Sequence, residues 1–502
     1  MTVTAVDYSD VQGLVRYGFG GMPECCFYLV KVKDVPAASA WLASAPVTTA
    51  EEKSPPPTRA LQIAFTSGGL KTLGIPEEVM RGFASEFVSG MTGDENRSRR
   101  LGDNGANSPN CWRWGHAEKL PHLLIMIYAK QELSSWEQSV KGESWDVAFQ
   151  VIDRLATSQL GEREPFGFVD GISQPNVDFD RKRQISGDQL QYSNMLALGE
   201  FLLGYPNEYG EYTDRPLLET TDTTRELLPA EDHGNKKDLA RNGTYLVMRQ
   251  LEQDVRGFWQ FIDRATGSNA QARQKLAEAM VGRTMDGAPL LSLCNAIDGV
   301  GPDKQDIDYN QFTYQGDDGG VKCPVGSHIR RANPRNADFP QPVKGLISRF
   351  VRILGFGRKD IRDDLMAPTR FHRILRRGRE YGPDLFVPEA LDPPPPNDPE
   401  RGLHFVCLNG NIARQFEFVQ SAWCMSTKFN GLTEESDPLL GNRAPVLGCP
   451  RTDTFSIPQE NGLRRRVMGL PQFVFVRGGA YFFLPSLRAL RYFARAGSTS
   501  QM

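Results

Sequence analysis

Apolar residues fall along this chain in two rhythms, short unbroken runs and stripes at helical spacing. Cys25 to Val32, Ala60 to Phe65, His122 to Tyr128, Gly243 to Arg249, Leu403 to Leu408 and Gln472 to Arg477 read as strands. Between them, Ala37 to Ala43, Pro76 to Met91, Trp145 to Ala156, Asp254 to Ala265, Ile412 to Trp423 and Ser486 to Ala494 predict helices. In the second of these, Met80, Phe83, Phe87 and Met91 recur along one helical face. Strands and helices interleave in two similar halves, 1–238 and 239–502. That order predicts an α+β fold of two ferredoxin-like units. Periodicity by itself leaves other α/β folds open.

Three segments interrupt the pattern. Tyr205 to Lys237 is polar and charged without a period, Asp338 to Ala367 is a second long insert, and Pro393 to Pro396 is a stiff extended connector. Loops of this length commonly shape an entrance or an interface.

Composition narrows the class. A chain of 502 residues with a net charge of −3 lacks the basic field of a nucleic-acid binder. No run of about 18 apolar residues suggests a membrane span. Met1 to Asp10 shows no leader pattern. The eight cysteines include no CxxC pair, which fits reduced, buried thiols in a cytoplasmic protein.

Two stretches carry chemistry. In Glu164-Pro165-Phe166-Gly167-Phe168-Val169-Asp170-Gly171-Ile172, one acid stands between glycines in an apolar run. Gly167 and Gly171 permit backbone shapes, or the close approach of a flat ligand, that a Cβ would obstruct. A carboxyl group in such surroundings can exchange a proton during a reaction. Taken alone, the stretch equally describes a loop in which Asp170 caps its own backbone. The second stretch runs from Cys323 to Arg335 and sets His328 before Arg330, Arg331 and Arg335. The six histidines include no pair three to five residues apart, so a zinc pair of the HxxxH type is absent. One imidazole is enough for haem, which brings four iron bonds of its own and two propionates that arginines suit. A basic surface loop is the plainer alternative. A third stretch, Phe371 to Gly382, places Arg376 after Ile374 and Leu375, where it points inward from a strand or lies on a solvated basic face.

Together these stretches resemble the dye-decolourising peroxidase family. The resemblance rests on GxxDG at Gly167 to Gly171, on HIRRANPR at His328 to Arg335, and on ILRRG at Ile374 to Gly378. Fragments such as Asn242-Gly243-Thr244-Tyr245-Leu246-Val247 and Gln415-Phe416-Glu417-Phe418 follow in the family's order. The resemblance implies a dimeric α+β barrel arrangement within one chain. It also implies a haem peroxidase, holding one haem b per chain, that reduces hydrogen peroxide and oxidises bulky organic donors such as dyes and phenolics. It assigns Asp170 as the distal acid, Arg376 as the distal arginine and His328 as the iron ligand. Gly171, Arg330, Arg331 and Arg335 fall to the haem, and Glu417 to the carboxylate that orients the imidazole. Arg379-Glu380 departs from the apolar residue and proline that often follow RRG in the family. A haem-handling protein without fast turnover is the alternative, and the complete pair Asp170 and Arg376 favours the enzyme. A homo-oligomer is compatible with the sequence.

Overall fold

The computed structural model describes residues 5–159, 161, 163–182, 193–291, 308–335, 369–446 and 448–499. The insert expected at 338–367 lies outside them. Nine strands make one antiparallel sheet. They are β1 (Glu24–Val32), β2 (Arg59–Phe65), β3 (Leu123–Ala129), β4 (Phe149–Ala156), β5 (Thr244–Gln253), β6 (Leu375–Arg376), β7 (Arg379–Tyr381), β8 (Gly402–Asn409) and β9 (Val474–Leu484). The order across the sheet is β6-β8-β5-β9-β2-β3-β1-β4, with β7 also on β8. The first half thus reads β4-β1-β3-β2, and the second repeats that order as β9-β5-β8 followed by β6 and β7. This is the ferredoxin-like arrangement twice over. The halves join where Phe483 of β9 pairs with Phe65 of β2.

The far edges also meet. Ser158 N donates to Glu380 O at 2.8 Å, and the His404 ring lies 2.9 Å from Ala156 O. The sheet therefore curls towards a barrel, and its inward and outward residues alternate. Phe27, Met126, Met248, Val406 and Phe482, from five different strands, belong to one buried cluster on the inside. The outer face carries the larger cluster beneath the helices. Those used below are α1 (Val35–Ser44), α2 (Val255–Ala265), α3 (Ala270–Val281), α4 (His328–Ala332) and α5 (Leu487–Thr499). Among the described residues, no helix is long and apolar enough to cross a membrane.

Two predicted helices differ from the structure. Trp145 to Ala156 is helical only over Trp145–Ala148 and then becomes β4, an edge strand whose residues pair with β1. Its exposed Gln150 and Val151 mimic an amphipathic helix over one turn. Pro76 to Met91 is broken into Glu77–Met80 and Ser85–Ser89. Gly82 stands at the break because a Cβ there would lie 2.6 Å from Pro216 Cα, and the Tyr245 hydroxyl takes the Ala84 N–H at 2.8 Å. The 205–237 insert is tied down by buried ion pairs, among them Arg215 with Asp238 and Arg241 with Glu231.

Candidate active site

A large cavity lies on the outer face of the second half and encloses about 1470 Å³ of empty space, its open mouth included. One wall is the sheet. Leu251 and Gln253 of β5, Leu403 and Phe405 of β8, Val474 of β9 and Arg376 of β6 line it together. Period-two alternation selects that set: Arg376 pairs with Cys407, two residues on from Phe405, while its neighbour Leu375 is buried on the opposite face. The facing wall comprises α4, the end of α3 and the helical segment around Phe416 to Cys424. That segment is wound wide, with Glu417 N donating to Ile412 O five residues back.

His328 opens α4 and lines the cavity, with about 27% of its side chain exposed. Its Nδ1 lies 2.9 Å from Oδ2 of Asp437, a carboxylate with no exposure. The other Asp437 oxygen accepts the N–H groups of Leu439 and Leu440, each at 2.9 Å. Burial disfavours charge on the ring, but Asp437 outweighs it and holds the His328 pKa above the ordinary histidine value. Nε2 is then the ring nitrogen available to the cavity. An imidazole oriented by a buried carboxylate is the usual state of a metal-binding histidine.

Across the cavity, Arg376 Nη1 donates to Asp170 Oδ1 at 2.7 Å. Burial would raise the Asp170 pKa, yet the Arg376 charge and hydrogen bond, helped by the Gly171 N–H, bring it below the usual carboxylate value. Asp170 is therefore a carboxylate at neutral pH. Gly167 and Gly171 have φ of +99° and +80°, so the turn carrying Asp170 uses backbone that side chains resist. Gln174 fixes the spacing of the pair. Its side-chain amide takes the Arg376 N–H at 3.1 Å and donates to Arg376 O at 3.2 Å, as a neighbouring strand would.

The basic residues after His328 do something other than expected. Arg330 is buried and donates to Asp317 and to the Cys323 carbonyl. Arg331 is buried and donates to the carbonyls of Trp423, Ser426 and Glu435. Arg335 is buried, lies 3.8 Å over the Phe312 ring and donates to Asn310 and Phe312 carbonyls. None of the three lines the cavity; they stitch loops behind α4. Glu417 is likewise not the partner of His328. It pairs with Arg97 at 2.9 Å and accepts from the Tyr481 hydroxyl at 2.9 Å. Among the described residues, the arginines that do reach the cavity are Arg283, Arg373 and Arg376. Sequence reading missed Asp437, which lies 109 residues beyond His328 with no shared motif. It also missed Gln174, although that residue lies just beyond the Glu164 to Ile172 stretch.

An imidazole braced by a carboxylate thus faces an acid–guanidinium pair across an apolar cavity. No family model matches the chain. Curated relatives do: it is 27% identical over 510 residues to dye-decolorizing peroxidase msp1 of Mycetinis scorodonius, covering 97% of this chain and 87% of that one. It is 26% identical over 517 residues to dye-decolorizing peroxidase AauDyP1 of Auricularia auricula-judae, at 98% and 87% coverage. Multifunctional dye peroxidase DyP2 of an Amycolatopsis species is 29% identical over 351 residues, which cover 67% of this chain and 62% of that one. Among solved structures, a dye-decolorizing peroxidase in complex with 2,6-dimethoxyphenol superposes with a TM-score of 0.68 at 22% identity, covering 97% and 100% of the two chains. Over nearly its whole length the chain is thus similar to dye-decolourising peroxidases.

The described residues suit haem. His328 presents one imidazole to the cavity, which is what haem iron asks of a protein, since the porphyrin supplies four bonds of its own. The walls are predominantly apolar, and cationic groups stand at Arg283 and Arg373.

Proposed function

We propose that this enzyme is a haem peroxidase that reduces hydrogen peroxide and takes electrons singly from bulky organic donors, with one haem b held in the cavity of the second half. The observation that carries the reading is the placement of His328, with Asp437 behind it, across one cavity from Asp170 and Arg376. His328 Nε2 would ligate the iron, and Asp437 would keep that nitrogen free by holding Nδ1. Arg283 and Arg373 would face the haem carboxylates, a role to which planar guanidinium forks are suited. Bound haem supplies the redox chemistry, which the protein orients and tunes.

The remaining work falls to two side chains. Arg376 holds Asp170 Oδ1, leaving Oδ2 to take a proton from hydrogen peroxide and return it to the departing oxygen. The depressed Asp170 pKa keeps that base available at neutral pH. Arg376 is fixed before reaction by Asp170, Gln174 and the Ser173 carbonyl, so it offers a preorganised donor where negative charge develops. The repeat boundary we place at residue 238, ahead of β5. A reducing, cytoplasmic setting suits the seven described cysteines, all of which are free thiols.

The test is peroxide-dependent oxidation of a phenol such as 2,6-dimethoxyphenol by the haem-loaded protein. Turnover by the wild type, with a loss of about 10² or more in Asp170→Asn at equal haem content, supports the reading. Haem uptake without turnover would favour haem handling instead.

A further inference from the structure

Six residues before Asp170, a second carboxylate enters the same cavity wall. Glu164 is half-buried on the cavity wall and makes three hydrogen bonds, none of them to a charged partner. Its Oε1 accepts from Phe168 N at 3.0 Å, and its Oε2 accepts from Phe166 N at 3.0 Å and from Gln253 Nε2 at 2.7 Å. The Glu164 main chain closes the same turn, with Gly167 N donating to Glu164 O and Glu164 N donating to Phe168 O. One side chain therefore fastens the turn that leads to Asp170 and ties it across to β5.

We propose that Glu164 is the positioning residue of the distal acid: its carboxyl group holds the Asp170 loop against β5. The inference rests on Asp170 being the distal acid. A carboxyl group keeps acceptor capacity at both oxygens, whereas an amide puts an NH2 donor with no acceptor capacity in place of one of them. That donor would oppose either the Phe168 N–H or the paired donors from Phe166 and Gln253.

Burial raises the Glu164 pKa to about 7, partly offset by Gln253 and the two amides, with the Asp170 charge adding to the rise. The groups facing it come from every adjoining element. Gln253 of β5 is a neutral amide. From α2, the Phe258 ring lies 4.5 Å from that of Phe166, and Trp259 Nε1 donates to Phe166 O. Arg163 turns away to the carbonyls of Gly167 and Met285. Arg376 stands beyond Asp170 and is engaged with it. Ionised Glu164 thus has hydrogen bonds without a countercharge, the condition under which a buried acid titrates near neutrality.

The test is hydrogen exchange at the Phe166 and Phe168 amides in the haem-free protein across pH 4 to 8, corrected for intrinsic rates. The wild type should show a step in protection between the ordinary carboxyl pKa of 4.5 and about 7, with the loop better protected on the acid side, because a raised pKa means that the closed loop binds the Glu164 proton more tightly than the open loop does. Glu164→Gln should exchange at these amides about 10-fold faster and lack the step, while the β5 and β8 amides keep wild-type protection. Gln253→Leu retains the carboxylate but removes a donor that lowers its pKa, so its step should move to higher pH. In haem-loaded Glu164→Gln, peroxide consumption should fall about 10- to 100-fold, as for a slightly misplaced catalytic group, with an unchanged KM for the organic donor. Wild-type exchange and an unaltered pH profile in Glu164→Gln would overturn the inference. An inactive wild type that still shows the exchange step would fault the peroxidase reading and support the tether.

Discussion

Replacing Arg376 by leucine separates the two tasks assigned to that side chain. Its guanidinium holds Asp170 Oδ1 at 2.7 Å and reaches the Ser173 carbonyl at 3.4 Å. The backbone of residue 376 is held independently by Gln174 and by pairing with Cys407, so β6 should survive the change. Losing one preorganised donor to a developing negative charge costs on the order of 10²–10³ in rate, or about 3–4 kcal/mol in the barrier. The variant also removes the cation that outweighs the burial of Asp170. Burial, with the Glu164 charge nearby, then pushes the Asp170 pKa upward. Because the base must be ionised to accept a proton, the acid limb of the rate profile should move to higher pH. The assay is peroxide consumption by haem-loaded wild type and Arg376→Leu between pH 3 and 8, normalised to haem content. A wild-type rate, or a reduced rate whose acid limb stays at the wild-type pH, would refute the coupling of Arg376 to Asp170.

Other perturbations follow from the same geometry. Asp437→Asn keeps the shape behind His328 but removes its charge, so haem should be held roughly 10- to 100-fold more weakly, read as faster transfer to a haem-scavenging protein. Glu137, bonded to Arg154, Lys141 and Tyr28, has its pKa lowered to about 2 despite burial, against 4.5 when unpaired. A depressed carboxylate stabilises the fold above about pH 4.5 and loses that contribution as pH falls towards 2. Glu137→Gln should therefore lower stability at pH 7 by about 1–2 kcal/mol, allowing for screening of the partly exposed Arg154 and Lys141, and should match the wild type near pH 2 in denaturant titrations.

Much of the fold was legible because the strands are apolar runs that hardly overlap any helical period. β1, β2, β3, β5 and β8 fall within a few residues of their expected limits, and β9 continues seven residues past its expected end. The misread segment at Trp145 to Ala156 shows the limit. An edge strand with mixed exposure and a helix of the same length share a pattern, and only pairing with β1 decides between them. The site was legible where chemistry is local. Asp170 needs its two glycines, and Arg376 needs the alternation of β6. It was illegible where partners come from afar. Nothing near His328 in the chain announces Asp437, and nothing in HIRRANPR says that Arg330, Arg331 and Arg335 turn back onto carbonyls. A local arginine cluster records charge, and the direction of each side chain is set by tertiary packing. Glu417 illustrates the same point, since the acid that seemed suited to the imidazole is taken by Arg97 and Tyr481.

The central claim is that the cavity of the second half holds haem through His328. Titrating the haem-free protein with haemin tests it directly, with the Soret band reporting ligation and far-ultraviolet circular dichroism reporting the fold. The wild type should saturate at one equivalent with an imidazole-ligated ferric spectrum. His328→Ala should remain folded yet take up little haem, and added imidazole should restore the spectrum. A His328→Ala protein that binds one equivalent with the wild-type spectrum would contradict the account.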